Sequence, residues 1–392
     1  MLGLSDIASR IVQSTIRTMS VECEKVGGVN LAQGVCDTEV PAIVRQAAEA
    51  AIEAGYNQYT RADGIASLRE AIARKLQRQN GITADPETEI IVTSGVTGGF
   101  DSACRALLNP GDEVVLFEPY YGYHYATLVG QYLKPVLVSL DPPDYKLAVE
   151  RLSDAITSKT RGIVVNTPAN PSGKLFSSAE LKQIAAVARH HDLFIFTDEI
   201  YEHFVYDGAK HISPGSLPGG TDRTITISGF SKVFSVTGWR VGFLQASARW
   251  VPAISYFHDL TYVCAPSAFQ HGAAAGLDEL PDSFYADLIQ EYQHKREMIC
   301  DALRAAELEP SVPAGAYYVL ADASVVPGEN SIAKAMNLLQ LTGVASVPGE
   351  AFFQGGRGDH LLRFCFAKTD ADLADGCERL AKLRRTASVA IR

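Results

Sequence analysis

The sequence contains no apolar run approaching the ~18–20 residues needed to span a bilayer, and its first residues, MLGLSDIASRIV, lack the apolar core of a signal peptide. No membrane partner is expected, and the expected compartment is the cytoplasm. Long runs of one charge are missing too. With 35 Lys and Arg against 45 Asp and Glu, the net charge is −10, a balance that argues against nucleic acid or an anionic membrane as a partner. Cysteine is sparse, and Cys23, Cys36, Cys104, Cys264, Cys300, Cys365 and Cys377 form an odd, scattered set without a CxxC pair. Such a set suits a reduced compartment and structural roles, and no metal site is expected. The GxGxxG fingerprint of nicotinamide cofactors is absent, which speaks against a Rossmann dehydrogenase. There is no internal repeat, low-complexity tract or long linker.

What is present is α/β alternation. At 392 residues the chain exceeds the ~250–300 at which one core stops growing, so two domains are expected. From about residue 89 short apolar runs rich in β-branched and aromatic residues predict strands: EIIVTSG, EVVLFEP, KPVLVSL, RGIVVNTP, LFIFTDE, RTITISG and VGFLQA. Between several of them lie helical patterns such as SSAELKQIAAVARHH, with Leu181, Ile184, Ala185 and Ala188 at helical spacing. Runs apolar on both faces and separated by helices predict a mostly parallel sheet covered on both sides, with chemistry in the loops beyond the carboxyl ends of its strands. A long helical pattern, PDSFYADLIQEYQHKREMICDALRAA, then precedes AYYVLAD, GVASVPG, LLRFCFA and a last helix, TDADLADGCERLAKLRRTA. These suggest a smaller C-terminal domain.

Three loops and one lysine stand out. Asp198 ends the apolar run LFIFTD, and a carboxylate buried there needs a partner. TSGVTGGF leads from a strand into a helix through small residues, leaving backbone N–H groups and a positive helix end for an anion such as phosphate. NTPANPSG holds Asn170 between two prolines, which taken alone is a turn. The stretch SGFSKVFSVTGWRVGF places Lys232 among small and apolar residues, with Arg240 eight positions later. Deprotonating an ordinary lysine at pH 7 costs about 4–5 kcal/mol. Burial and a neighbouring cation both favour the neutral, nucleophilic amine.

Taken together, these segments resemble class I aminotransferases, the fold-type I enzymes dependent on pyridoxal 5′-phosphate. GFSKVFSVTGWRVG is similar to the family's cofactor-lysine signature, and QGVCDTEVP, NQYTRADGIASLREAIA, PGDEVVLFEPYY, TDEIYEHFVYDG, PAGAYYVLAD and HLLRFCFAK have counterparts in order along nearly the whole chain. The resemblance implies a large cofactor-binding α/β domain with a mostly parallel sheet (residues 44–285). A smaller α+β domain (286–392) would be joined by an N-terminal segment (1–43). It implies that Lys232 carries the cofactor as an internal aldimine and shuttles the substrate's α-proton. Asp198 would face the pyridine nitrogen, Asn170 and Tyr201 would bond the ring's phenolic oxygen, and Tyr121 would stack on the ring. Gly95, Val96, Thr97 and Arg240 would hold the phosphate. Tyr59 would reach the phosphate of the other subunit of a homodimer. Arg363 would clamp the substrate α-carboxylate, helped by the backbone at Gly34 and by Asn170.

Departures from the family pattern bear on detail. Where many members carry a phosphate-binding serine three residues before the lysine, this sequence has Gly229, leaving Ser228 or Ser231 to substitute. Thr97 stands where some aspartate-specific relatives place a lysine, which weakens that specificity. The resemblance is greatest to the kynurenine, glutamine and methionine branch. It implies transfer of the amino group of a large neutral or aromatic L-amino acid to a 2-oxo acid such as 2-oxoglutarate, in two ping-pong half-reactions. Tyr56, Tyr121, Tyr123, Tyr317, Phe352 and Phe353 are candidates for an apolar pocket. Aspartate aminotransferase-type specificity and a C–S β-lyase using the same site are the alternatives. A non-catalytic regulator is a further one, with no basic helix-turn-helix ahead of the family-like region to support it.

Overall fold

The computed structural model describes residues 3–9 and 15–383. Its strands are β1 (Val29–Asn30), β2 (Ile90–Thr93), β3 (Glu113–Glu118), β4 (Lys134–Ser139), β5 (Thr160–Asn166), β6 (Phe194–Asp198), β7 (Thr224–Gly229), β8 (Gly242–Gln245), β9 (Glu309–Ser311), β10 (Tyr318–Asp322), β11 (Val344–Ala345), β12 (Val347–Pro348) and β13 (Leu361–Cys365). The seven predicted runs from EIIVTSG to VGFLQA build one sheet in the order β2-β8-β7-β6-β5-β3-β4. All neighbours are parallel except β8, which runs antiparallel to both β2 and β7.

Side chains on a strand alternate between faces, and this sheet buries both sets. Val115, Phe117, Ile163, Val165 and Ile195 join one core with Leu181, Ile184, Ala185 and Ala188 of the helix Ser178–His190. Their neighbours Val114, Leu116, Val164, Phe196 and Ile227 join another with Phe100, Ala103 and Cys104 of the helix Gly95–Leu107 and Ile254 of the helix Val251–Tyr262. Ser177 and Glu180 cap the helix Ser178–His190 reciprocally, side chain to backbone in both directions, which explains its start at SSAE.

The second half forms a four-stranded antiparallel sheet in the order β12-β13-β10-β9. The helices Asp282–Ala305 and Asp370–Leu380 pack against each other beside it. The end of the predicted last helix, from residue 384, lies outside the described residues. One pairing that periodicity did not reveal is the parallel ladder of β1 with β11, Val29 opposite Val344 and Asn30 opposite Ala345. It carries the residues after Asn30 toward the ends of the large-sheet strands. No helix among the described residues is long and apolar enough to cross a membrane.

Candidate active site

Parallel strands end together, and their ends set the site. Asn166 of β5 is in register with Asp198 of β6, and Asp198 with Ile227 of β7, so the segments that follow each strand meet at one edge. Because β8 runs the other way, it is its beginning that lies at this edge, with Thr93 opposite Gly242. Arg240, just before β8, therefore falls against Gly95, just after β2. The approach is close enough that a Cβ at Gly95 would run into the Arg240 guanidinium. Gly95 has φ +69°, a left-handed value that suits glycine. The first amides of the helix Gly95–Leu107 have no partner within it, so they and Arg240 face one anion-binding point.

A cavity of about 170 Å³ lies at this edge, lined by Gly34, Val96, Thr97, Tyr121, Asn170, Asp198, Tyr201, Ser231, Lys232, Arg240 and Arg363 among others. Lys232 Nζ donates to the Gly34 carbonyl at 3.1 Å. Burial pushes the Lys232 ammonium below the usual lysine range, against opposing pulls from Cys36, Cys365 and, more weakly, the Asp198 carboxylate, while the Arg240 guanidinium adds to the lowering. Asp198 is buried, with Oδ2 3.0 Å from His124 Nε2 and Oδ1 accepting the Ile200 N–H at 3.2 Å. The Tyr201 hydroxyl lies 3.0 Å from that of Tyr318, and burial raises its phenol well above the usual value, so it stays protonated.

Arg363 is 1% exposed. Its guanidinium lies between two rings, 4.3 Å from the centre of Tyr318 and 5.1 Å from that of Phe352. Nη1 donates to Asn170 Oδ1 at 2.9 Å and Nη2 to the Ala32 carbonyl at 2.6 Å, while the buried Nε has no partner. A charge held this way, with a donor left over, is matched to a carboxylate.

Two expected residues, Ser228 and Tyr59, do not line this chain's cavity, the second being expected at the other subunit's site. Ser228 sits on β7, where its hydroxyl donates to Glu202 Oε1 at 2.7 Å, with the Glu199 carbonyl oxygen 3.3 Å away as the second acceptor in reach. The serine at the cavity is Ser231, because residues on a strand alternate faces and only the turn after β7 opens toward the ligand side. Tyr59 is 82% exposed and does not line the cavity of its own chain. Of the aromatic candidates, Tyr121 lines the cavity, and Tyr317 is buried with its hydroxyl on the Gly34 carbonyl at 3.3 Å. Phe352 stacks on Arg363, Tyr56 and Tyr123 are exposed, and Phe353 lines a separate cleft beside β4.

The sequence reading missed Ile16, Asn166, His124 and Tyr318. Asn166 donates to the Asp198 carbonyl at 3.1 Å, and its Oδ1 accepts the Asn170 N–H at 2.8 Å, so it braces two expected residues. His124 offered a signal, since it follows Tyr121 by one helical turn in PYYGYHYATL and its ring stands edge-on to Tyr121 at 5.1 Å.

The cavity thus asks for two anions on either side of a lysine, one at the Gly95 turn and one at Arg363. That is the architecture of an enzyme that anchors a phosphorylated cofactor on lysine and works on a small carboxylate. Residues 26–380 match the family described as aminotransferase class I and II, and the chain belongs to that family, which uses pyridoxal 5′-phosphate. It is an aminotransferase, hence a transferase. The chain is 33% identical over 385 residues to aromatic-amino-acid aminotransferase 2 of Thermococcus litoralis, covering 97% of this chain and 98% of that one. It is 33% identical to an aspartate aminotransferase of Pyrococcus abyssi, with 98% and 99% covered. Among solved structures, N-succinyldiaminopimelate aminotransferase from Mycobacterium tuberculosis superposes with a TM-score of 0.94 at 33% identity, covering 97% of this chain and 100% of that one.

Proposed function

We propose that the protein transfers the amino group of a large neutral or aromatic L-amino acid to a 2-oxo acid such as 2-oxoglutarate, in two ping-pong half-reactions. The observation that carries this reading is the set of cations at the cavity. Among its described lining residues these are Lys232, Arg240 and Arg363. With Arg240 at the phosphate and Arg363 at the α-carboxylate, no further cation among the described lining residues selects for an acidic side chain, so the γ-carboxylate of 2-oxoglutarate is left to neutral donors, while Ile16, Tyr121 and Tyr318 offer wall to a large neutral or aromatic side chain.

The residues suit pyridoxal 5′-phosphate: the glycine cradle at Gly95 against Arg240 supports a phosphate there, and the buried carboxylate of Asp198 supports a cationic ring nitrogen beside it. Gly95, Val96, Thr97, Ser231 and Arg240 would hold the phosphate, Asn170 and Tyr201 the phenolic oxygen, Asp198 the ring nitrogen, and Tyr121 the ring face. When bound, the group supplies an electron sink for charge developing at the substrate α-carbon. Asp198, oriented by His124, provides the negative charge that keeps the ring nitrogen protonated. Arg363 clamps the α-carboxylate and so fixes which way the α-hydrogen points. Lys232 Nζ, disfavoured as an ammonium, takes that proton and returns it. Tyr201 stays a hydrogen-bond donor throughout.

The same reading makes the enzyme a homodimer in which the exposed Tyr59 reaches the other subunit's phosphate. It places the enzyme in the cytoplasm, consistent with seven unpaired cysteines. It also divides the chain at 1–43, 44–285 and 286–392, and the ladder of β1 with β11 supports grouping the first with the last. Residues 1–2, 10–14 and 384–392 of that division lie outside the described ones. A half-reaction panel tests the substrate: holoenzyme is mixed with single amino acids and the loss of cofactor absorbance is followed. Phenylalanine, methionine or glutamine should react faster than aspartate, and conversion of aspartate and glutamate alone overturns the proposal.

A further inference from the structure

The turn that carries Gly95 is itself held by a side chain outside the cavity. Ser94 precedes the helix Gly95–Leu107 and makes no side-chain cap bond. β2 has already ended at Thr93, so neither the sheet ladder nor the helix takes the Ser94 N–H. His258 takes it. This residue of the helix Val251–Tyr262 is 0% exposed, and its Nε2 accepts the Ser94 N–H at 2.9 Å. Burial lowers the His258 pKa to about 4, against a weaker pull from Asp259, so at neutral pH the ring is uncharged and Nε2 is free to accept. The same helix touches the turn again through Tyr262, whose ring lies 5.1 Å from that of His258 and would meet a Cβ at Gly98 at 3.2 Å.

We propose that His258 is a positioning residue for the cofactor phosphate: by accepting the Ser94 amide it fixes the turn on which the amides of Gly95, Val96 and Thr97 converge with Arg240. The proposal rests on the reading that this turn holds the phosphate. Without the acceptor, a half-buried N–H at the pivot between strand and helix is left without its protein partner. The turn then rotates to find another partner, and the amides no longer point at one spot. Restoring them costs part of the binding free energy of the phosphate and none of that of the ring.

Comparing pyridoxal 5′-phosphate with pyridoxal, which lacks the phosphate, isolates this effect. Apoenzyme of the wild type, H258L, H258N, H258Q and R240A is titrated with each compound, and the ratio of the two dissociation constants is the readout. H258L should bind pyridoxal 5′-phosphate about tenfold more weakly, the worth of one such hydrogen bond, with pyridoxal binding changed by less than about twofold. H258N, too short to reach Ser94, should behave alike and serves if H258L does not fold. H258Q, whose Oε1 can stand in for Nε2, should restore the ratio to within about threefold, a rescue that a packing role alone would not give. Unchanged affinity in H258L and H258N, or equal loss for both compounds, overturns the proposal. R240A that leaves the ratio intact puts the phosphate elsewhere and removes the proposal together with the reading beneath it.

Discussion

Replacing Arg363 by lysine keeps the charge and removes the fork, which makes it the most direct probe of how substrate is held. The guanidinium is fixed by two rings, by Asn170 Oδ1 and by the Ala32 carbonyl, and its Nε is spare. A bidentate grip on an α-carboxylate makes two charge-assisted hydrogen bonds, and the shorter, rotating ammonium keeps one of them. The lost bond is worth about 1.5–3 kcal/mol, or a fall of ~10- to ~150-fold in kcat/KM. The assay is the single-turnover half-reaction of holoenzyme with L-phenylalanine and, in parallel, with phenethylamine, which has no carboxylate. R363K should lose rate with the amino acid and scarcely change with the amine, while the spectrum of the bound cofactor stays as in the wild type. A variant that keeps full rate with phenylalanine, or loses equally with both compounds, refutes the argument.

Borohydride reduction of the holoenzyme followed by peptide mapping should fix the cofactor on Lys232, and K232A should carry no label and show no half-reaction. The two serines should separate: S231A lowers cofactor affinity, whereas S228A, which breaks the bond to Glu202, lowers the urea midpoint by the equivalent of about 1 kcal/mol and leaves cofactor titrations unchanged. Acid should destabilise the apoenzyme through His258. Its folded pKa of about 4 lies below the ordinary histidine value, so the unfolded chain takes the proton first. The stability is complete above pH ~6.5, falls as the pH drops toward 4, and the total loss is on the order of 3 kcal/mol. Urea midpoints measured across that range should fall less steeply for H258Q than for the wild type.

The sequence exposed the frame of the site because its most constrained parts are local. Most buried strands of the large sheet show as short apolar runs, and Asp198, Asn170, Lys232 and Gly95 end such strands or follow them by no more than a few residues. What stayed hidden depends on contacts between distant segments. The ladder of β1 with β11 joins two-residue strands too short for any period. Tyr318 reaches Tyr201 across 117 residues and His124 reaches Asp198 across 74. Which of the two serines lines the cavity turned on a phase, since Ser228 still obeys the two-residue alternation of β7 and Ser231 does not. His258 gave no sign at all, being a lone histidine on a helix whose partner is a backbone amide.

The reversed direction of β8 has one more consequence. A single connection, Phe230 to Val241, leaves and rejoins the sheet at paired glycines, Gly229 opposite Gly242, and it carries both Lys232 and Arg240. The distance from the proposed reactive nitrogen to the proposed phosphate contact is therefore ruled off along one tethered loop. Substrate contacts, by contrast, arrive on separate segments that can drift independently. Insertions or deletions in that loop should be lethal to activity at the level of a single residue, and changes of substrate preference should accumulate everywhere else around the cavity first.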